Sequence, residues 1–271
     1  MSQPKHINYH KHFGWSYPVS LAQKLYSILW GPMLVVVILA VVARSFGVVY
    51  PSDTIPLATL VLATGATLLR LFVAYFFSLI VAVPLALLVT SGSRFESILL
   101  PFFDILESIP ILAFFPVALL VFVRFDFLNG AAIFIIFLSM VWNILFTVIG
   151  GLKMIPRDIK NAATVFKIKG FSYFRKVLLP AIVPQIVTGS ILAFGQGWNI
   201  IIVAEVLHVY LPASTSAHDL FGIGNILVAA SGSGQTNVFI MAIVVMVLVI
   251  AFLNFFIWQK LLHYAQRFRF E

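Results

Sequence analysis

Chemistry in this chain would have to come from a short set of side chains. Cysteine is absent, so neither a thiolate nucleophile nor a disulfide is available. No glycine is followed by lysine, which removes a phosphate-binding loop of the Gly-Lys-Ser/Thr kind, and the glycine-rich run Ser231-Gly-Ser-Gly-Gln-Thr236 reads as a loop ahead of an apolar segment. His6, His10 and His12 stand at spacings that could chelate a metal, but the polar segment carrying them reads as a solvated tail, so no metal site is expected. His208 and His218 lie in a polar connection and read as loop histidines that could meet an anion. What remains is recognition and pairing. Gln185, Thr188, Gln196 and Asn199 fall on one side of a helix and supply neutral hydrogen-bonding groups. Arg70 and Glu205 each border an apolar run and carry opposite charge. No catalytic residue and no bound cofactor are expected.

The elements that must position these groups are dictated by composition. The chain has 271 residues, of which 62% are hydrophobic and 10% charged, and its mean hydropathy is +1.08. No soluble domain could expose such a sequence, so the bilayer is its solvent. A hydrocarbon core of about 30 Å takes roughly 20 apolar residues per helix, and lipid tolerates no unpaired backbone, which makes the runs helices. Strand-like alternation is absent. Six spans are expected, at residues 30–49, 70–90, 101–123, 130–150, 180–207 and 237–262, preceded by a cytoplasmic segment at 1–28 that is no signal peptide. The fold class is therefore all-α, with one transmembrane domain at 29–271. The apolar stretch 57–69 runs into Arg70 and contains Thr59, Thr64, Gly65 and Thr67, so it reads as a helix lying at the interface.

Lysine and arginine set the orientation. With both ends cytoplasmic, that side collects most of the basic residues, while the other keeps Arg44, Arg70 and Arg124. Not one Lys or Arg occurs between Lys176 and Lys260, so the connection from His208 to Thr236 faces outward. The net charge of +8 thus reports topology and anionic lipid, and no nucleic-acid partner is expected. Pro84, Pro110 and Pro116 fall inside expected spans; they suit either a moving bundle or kinks fixed by packing.

One insert breaks the apolar pattern, at residues 153–180. Pro156 can open a helix, with Asp158 near the positive end of its dipole. Ile159, Ala162, Ala163 and Phe166 recur at helical spacing and share a face, with Arg157, Lys160 and Lys167 offset from it. Gly170 allows a turn, and a second short helix from Ser172 runs up to Pro180. Such a segment either rests on lipid headgroups or fits the groove of a soluble partner.

Asn161-Ala162-Ala163, followed by Val177, Leu179 and Pro180, resembles the cytoplasmic loop of binding-protein-dependent ABC importer permeases, where a Glu-Ala-Ala triplet precedes a glycine and a terminal Leu-Pro. Asn161 replaces the glutamate, and Lys167 stands where the glycine is expected. The resemblance runs over roughly residues 67–262. Thr67-Leu-Leu-Arg70, Pro101, Ile109-Pro110, Phe115-Pro116, Gly197-Trp198, Ala204-Glu205 and Gly222-Ile-Gly224 are similar to the nitrate, sulfonate, taurine and bicarbonate branch. It implies a type I importer fold with six transmembrane helices per subunit and a path between two permease subunits. A coupling loop carrying Arg157, Asp158, Asn161, Ala162, Ala163, Phe166, Lys167 and Gly170 would dock on ABC ATPase subunits, and a substrate-binding protein would deliver the solute from outside. ATP and Mg would belong to the ATPase, and the cargo would be a small solute such as nitrate, bicarbonate or a sulfonate, moved by alternating access through a cell inner membrane.

Charges inside a membrane mark function or pairing. Asp104 and Glu107 share a face and are expected to pair with Arg94 or with a partner subunit. The stripe of Gln185, Thr188, Gln196 and Asn199 is read as a path lining in preference to a helix contact. Arg70 and Glu205 are expected to meet at the outer level of the bundle. A channel or secondary transporter would explain the stripe without an ATPase, and a non-transporting anchor would explain the insert alone. Neither accounts for both.

Overall fold

The computed structural model describes residues 55–208 and 219–268, and among these it is entirely helical. The expected first span at 30–49, the segment 1–28 with its three histidines, and His218 lie outside the described residues. Helix α1 covers Leu57–Val89, α2 Ser93–Ser108, α3 Phe115–Arg124 and α4 Leu128–Met154. A short α5, Arg157–Val165, follows. Helix α6 runs over Gly170–Glu205, α7 over Ile223–Gly232 and α8 over Thr236–Phe268. Four of these, α1, α4, α6 and α8, are long and apolar enough to cross a membrane; the pair α2 and α3 forms a fifth, bent element.

The core is a three-helix packing of α1, α4 and α6. Ala131, Ala132, Ile135, Ile136, Met140, Ile144, Leu145 and Val148 recur every three to four residues along α4 and are all buried, so α4 is the central helix and its neighbours wrap it. Lipid offers no hydrophobic drive between helices, so close approach matters more than apolar bulk. On α6, Gly189 faces Thr147 and the backbone of Ile144, and Gly197 faces Met140 and Leu71; a Cβ at either would collide. Tyr75, Phe194 and Trp258 form an edge-to-face cluster, with Phe194 5.0 Å from each of the other two ring centres, and this draws α8 onto α1 and α6.

Three sequence expectations are corrected. Residues 57–69 are not an interfacial helix, because α1 is continuous across Arg70. No proline interrupts that run, and Thr64 satisfies its hydroxyl on the Leu60 carbonyl one turn back. Residues 101–123 are not one straight helix: α2 and α3 meet at 85°. The break falls at Ile109, whose extended backbone (φ −72°, ψ 126°) is the conformation imposed on a residue preceding proline. Pro180 does not start a helix either. Helix α6 begins at Gly170 and passes through Pro180, because Phe174–Leu178 widens into a π-helical turn just before it. In that turn the Leu179 N–H reaches the Phe174 carbonyl five residues back, and the helix continues past Pro180, which has no N–H to offer.

Candidate functional site

At the end of the bundle away from the 153–180 loop, four segments converge on one carboxylate. Glu205, the last residue of α6, is fully buried at 0% exposure, and Arg70 of α1 is 8% exposed. Arg70 Nη1 donates to Glu205 Oε1 at 2.7 Å. The same oxygen accepts from Thr67 Oγ1 at 2.6 Å, while Oε2 accepts from the Gly224 N–H at 2.8 Å. Thr67 in turn accepts the Ile223 N–H at 3.0 Å. The guanidinium spends its other donors on Asn129 Oδ1 of α4 at 2.8 Å and on the Phe221 carbonyl at 3.0 Å. No charge in this node is left to be solvated by lipid.

Glycine is required here by contact. A Cβ at Gly222 would overlap the Glu205 carboxylate, and one at Gly224 would lie 2.9 Å from both Glu205 Oε2 and the Ile201 carbonyl. With those side chains missing, the first turn of α7 comes close enough to point its N–H groups at Thr67 and Glu205. The carboxylate then faces the positive end of the α7 dipole. Beyond the node, Asp219 accepts from the backbone N–H groups of Leu207 and His208 at 2.8 and 2.9 Å and shares a 2.7 Å hydrogen bond with His208 Nδ1. Burial raises its carboxyl, but these donors outweigh it, and the group is held below its ordinary range.

The polar residues of α6 divide in two. Thr188, Gln196 and Asn199 are exposed on the single chain, along a face that also carries Gly195. Gln185 is turned inward against Gly151 of α4, whose Cβ would lie 2.6 Å from Gln185 Cγ. Its buried Oε1 has no hydrogen-bond partner among the described residues. Asp104 and Glu107 are exposed on α2 and form no ion pair with Arg94 among the described residues, which leaves the partner subunit of the two expected pairings. The acid that is paired at this end of the bundle is Glu96, 2.6 Å from Lys153.

The basic loop has its own geometry. Pro156 stands just before α5 rather than within it (φ −56°, ψ 144°), and Asp158 lies in the first turn. The shared face expected of Ile159, Ala162, Ala163 and Phe166 splits: Ala163 is buried, Ile159 partly so, whereas Ala162 is exposed and Phe166 is 76% exposed. Arg157, Asp158, Asn161, Lys167 and Gly170 are exposed as well. The helix closes with the Ile168 N–H on the Ala163 carbonyl and the Lys167 N–H on the Thr164 carbonyl, at 2.9 and 3.0 Å. This pairing needs a left-handed residue at its centre, a place usually held by glycine. Lys167 takes it, at φ 54°. The substitution that departs from the family pattern thus keeps the turn. Gly170, at φ 58°, makes a second left-handed turn into α6.

Sequence reasoning joined Arg70 to Glu205 but did not assign Thr67, Asn129, Phe221, Gly222 or Gly224 to the same network. The signal was present, since Thr67-Leu-Leu-Arg70, Ala204-Glu205 and Gly222-Ile-Gly224 were all singled out as motif pieces. The run 231–236 also resolves: Gly234 is left-handed at φ 71°, and the Gln235 N–H meets the Ala230 carbonyl at 2.9 Å, which caps α7.

These elements define an all-helical, multi-pass membrane protein with several apolar helices. Residues 74–264 match the family described as the inner membrane component of binding-protein-dependent transport systems, and the chain belongs to that family. It is 35% identical over 190 residues to the nitrate import permease protein NrtB of Leptolyngbya laminosa, covering 70% of this chain and 63% of that one. It is 37% identical over 144 residues to the bicarbonate transport system permease protein CmpB of Synechococcus elongatus, covering 53% and 51%. A putative ABC transporter permease of Methanocaldococcus jannaschii is 28% identical over 191 residues, 67% of each chain. The matched region thus spans between half and just under two thirds of the nitrate and bicarbonate relatives.

Proposed function

We propose that this chain is the non-catalytic permease subunit of an ATP-driven importer for a small anion of the nitrate or bicarbonate kind. Six spans per chain, both termini cytoplasmic, and a second permease subunit, identical or related, would complete the bundle. ATP and Mg would be bound by separate ATPase chains, and an extracytoplasmic protein would supply the solute. The observation that carries the reading is the loop of residues 153–180 within a chain of this family: it leaves Ala162 and Phe166 outward in the single chain and is rich in basic residues. An apolar knob beside small residues fits a protein groove better than water.

The neutral face of Thr188, Gln196 and Asn199 would line the path between subunits. Carboxamides and hydroxyls can exchange hydrogen bonds with a passing anion without trapping it, and such groups cannot rest against lipid. Nucleotide-driven closure of the ATPases would move α5, and the bundle would exchange an inward opening for an outward one.

The test is uptake of isotopically labelled nitrate and bicarbonate by proteoliposomes holding the permease, the ATPase encoded beside it and the binding protein. Uptake that needs ATP and the binding protein supports the reading, whereas ATP-independent flux by the permease alone would replace it with a channel. Because the chain has no native cysteine, single cysteines at Ser172 and Ser233 report orientation. Ser233 is expected to react from outside, and Ser172 only after the membrane is opened.

A further inference from the structure

On the side of the bundle opposite the Arg70–Glu205 node lies a cavity of about 610 Å³, which is within the roughly 300–1,000 Å³ range of small-molecule sites. Its walls come from three places that the fold need not have brought together. Leu87 belongs to the last turn of α1, Leu152 to the end of α4, and Tyr173, Phe174 and Leu178 to the first turns of α6. Lys160 of α5 closes it. The cavity is amphipathic: leucine and aromatic surface on the membrane side, an ammonium group on the loop side.

Of the four polar side chains in its lining, Thr90 and Ser91 spend their hydroxyls on the Ala86 and Leu88 carbonyls of α1, while Lys160 and Tyr173 are not used by the protein. Lys160 makes no ion pair and the Tyr173 hydroxyl no hydrogen bond among the described residues. Around them, residues 153–176 carry seven Lys or Arg (153, 157, 160, 167, 169, 175, 176) against the single acid Asp158. A cationic rim over an apolar floor, where the apolar helices α1 and α4 end and α6 begins, is complementary to one chemical class: an anionic headgroup attached to acyl chain.

We propose that this cavity binds one anionic phospholipid of the inner leaflet, with its phosphate at Lys160 and Tyr173 and the start of an acyl chain on Leu87, Leu152, Phe174 and Leu178. The inference rests on the orientation proposed above, with this end cytoplasmic. Its consequence is mechanical. The lipid bridges α5 to the ends of α1 and α6, so the coupling helix moves against a lipid wedge rather than against water.

Native mass spectrometry of the permease–ATPase complex, purified from vesicles of phosphatidylglycerol and phosphatidylcholine, tests it. The wild-type complex is expected to keep one tightly held phosphatidylglycerol per permease chain and no phosphatidylcholine. Lys160→Glu is expected to weaken retention roughly tenfold, the size of a lost charge-assisted hydrogen bond, and Tyr173→Phe to weaken it less. Lys260→Glu, which makes the same charge change elsewhere, should leave retention unaltered. Equal retention by Lys160→Glu and wild type, or equal retention of both lipids, would overturn the site. Displacement of the bound lipid by millimolar glycerol phosphate would overturn the acyl half of the inference, leaving a site for a soluble phosphate. If Ser172 labels from outside while the lipid pattern holds, the orientation fails and the site stands.

Discussion

The two ends of this bundle solve the same problem in opposite ways. At the end that holds Glu205, a carboxylate and a guanidinium are buried in apolar surroundings, and every strong donor around them is matched: Glu205 meets Arg70, Thr67 and Gly224, and Arg70 also meets Asn129 and Phe221. At the end that carries the 153–180 loop, charge is plentiful and hardly paired within the chain, Lys153 with Glu96 being the one ion pair of that loop among the described residues. A satisfied buried network holds its members in one arrangement. An exposed basic loop with an outward aromatic is not held in that way within the chain, and on the proposed function it takes its arrangement from the ATPase it docks on. The difference assigns rigidity to one end and response to the other.

The strongest challenge to that contrast is to break the node. Glu205→Ala leaves Arg70 buried and unmatched, which costs about 3–5 kcal/mol, so little folded permease should survive detergent extraction and size-exclusion chromatography. The geometry also changes what a charge exchange should do. Were the pair only two opposite charges, Arg70→Glu with Glu205→Arg would restore part of the loss. With the Thr67 hydroxyl and the Gly224 N–H aimed at position 205, and no room beside Gly222, an arginine there faces donors. The double variant is now expected to fold no better than the worse single one.

At the other end, the expected damage is to coupling and not to folding. Phe166→Ala removes an exposed ring and should leave yield and melting temperature unchanged. Buried aromatic contacts at interfaces are worth about 2 kcal/mol or more, so ATPase association is expected to fall roughly 30-fold in a pull-down titration. Ala163→Glu should differ from it, because Ala163 is buried within this chain; it is expected to lower melting temperature as well as association. Equal effects of the two variants on stability would erase the distinction between inward and outward faces of α5.

A smaller effect tests the turn. A non-glycine residue in the left-handed region costs about 1–2 kcal/mol, so Lys167→Gly is expected to slow amide exchange of Ile168 and raise the stability of the loop by about 1 kcal/mol. No change would mean that Lys167 is not left-handed in solution.

The smallest effect concerns pH at the Asp219 end of the bundle. The Asp219 carboxyl is held below its ordinary range by the donors of Leu207 and His208. Its folded value lies below its unfolded one, so its contribution is present in full above the ordinary carboxylate range and is lost as pH falls through the folded value. Exchange of the Leu207 and His208 amides should therefore quicken on acidification below that range, after correction for intrinsic rates, and Asp219→Asn should flatten the response. A profile unchanged by that variant would place the pH dependence elsewhere.

Much of this protein was legible without coordinates because lipid permits few backbones. Long apolar runs had to be helices, and the runs at 130–150, 180–207 and 237–262 lie within α4, α6 and α8, give or take a few residues at their ends. The insert could be read because basic residues stand out against 62% hydrophobic composition. The pairing of Arg70 with Glu205 followed from the cost of leaving either alone near lipid. The breaks were harder. Pro110 bends its span by 85°, yet Pro84 and Pro184 sit inside continuous helices and Pro180 is absorbed by a π-helical turn. Proline removes one donor everywhere; whether the chain turns depends on the neighbours that take up the freed carbonyl.

Sequence by itself thus determined the solvent, the helical class of the chain and the charges that had to find partners, since these follow from local composition and from what hydrocarbon forbids. Only the tertiary structure decided which partners they found. Thr67, Asn129 and Gly224 are 138, 76 and 19 residues from Glu205 along the chain, and each could have bonded locally. Close packing of α1, α4 and α6, together with the missing side chains at Gly222 and Gly224, brings them within reach of Arg70 or Glu205. That proximity is a property of helices in contact, which no window of sequence contains.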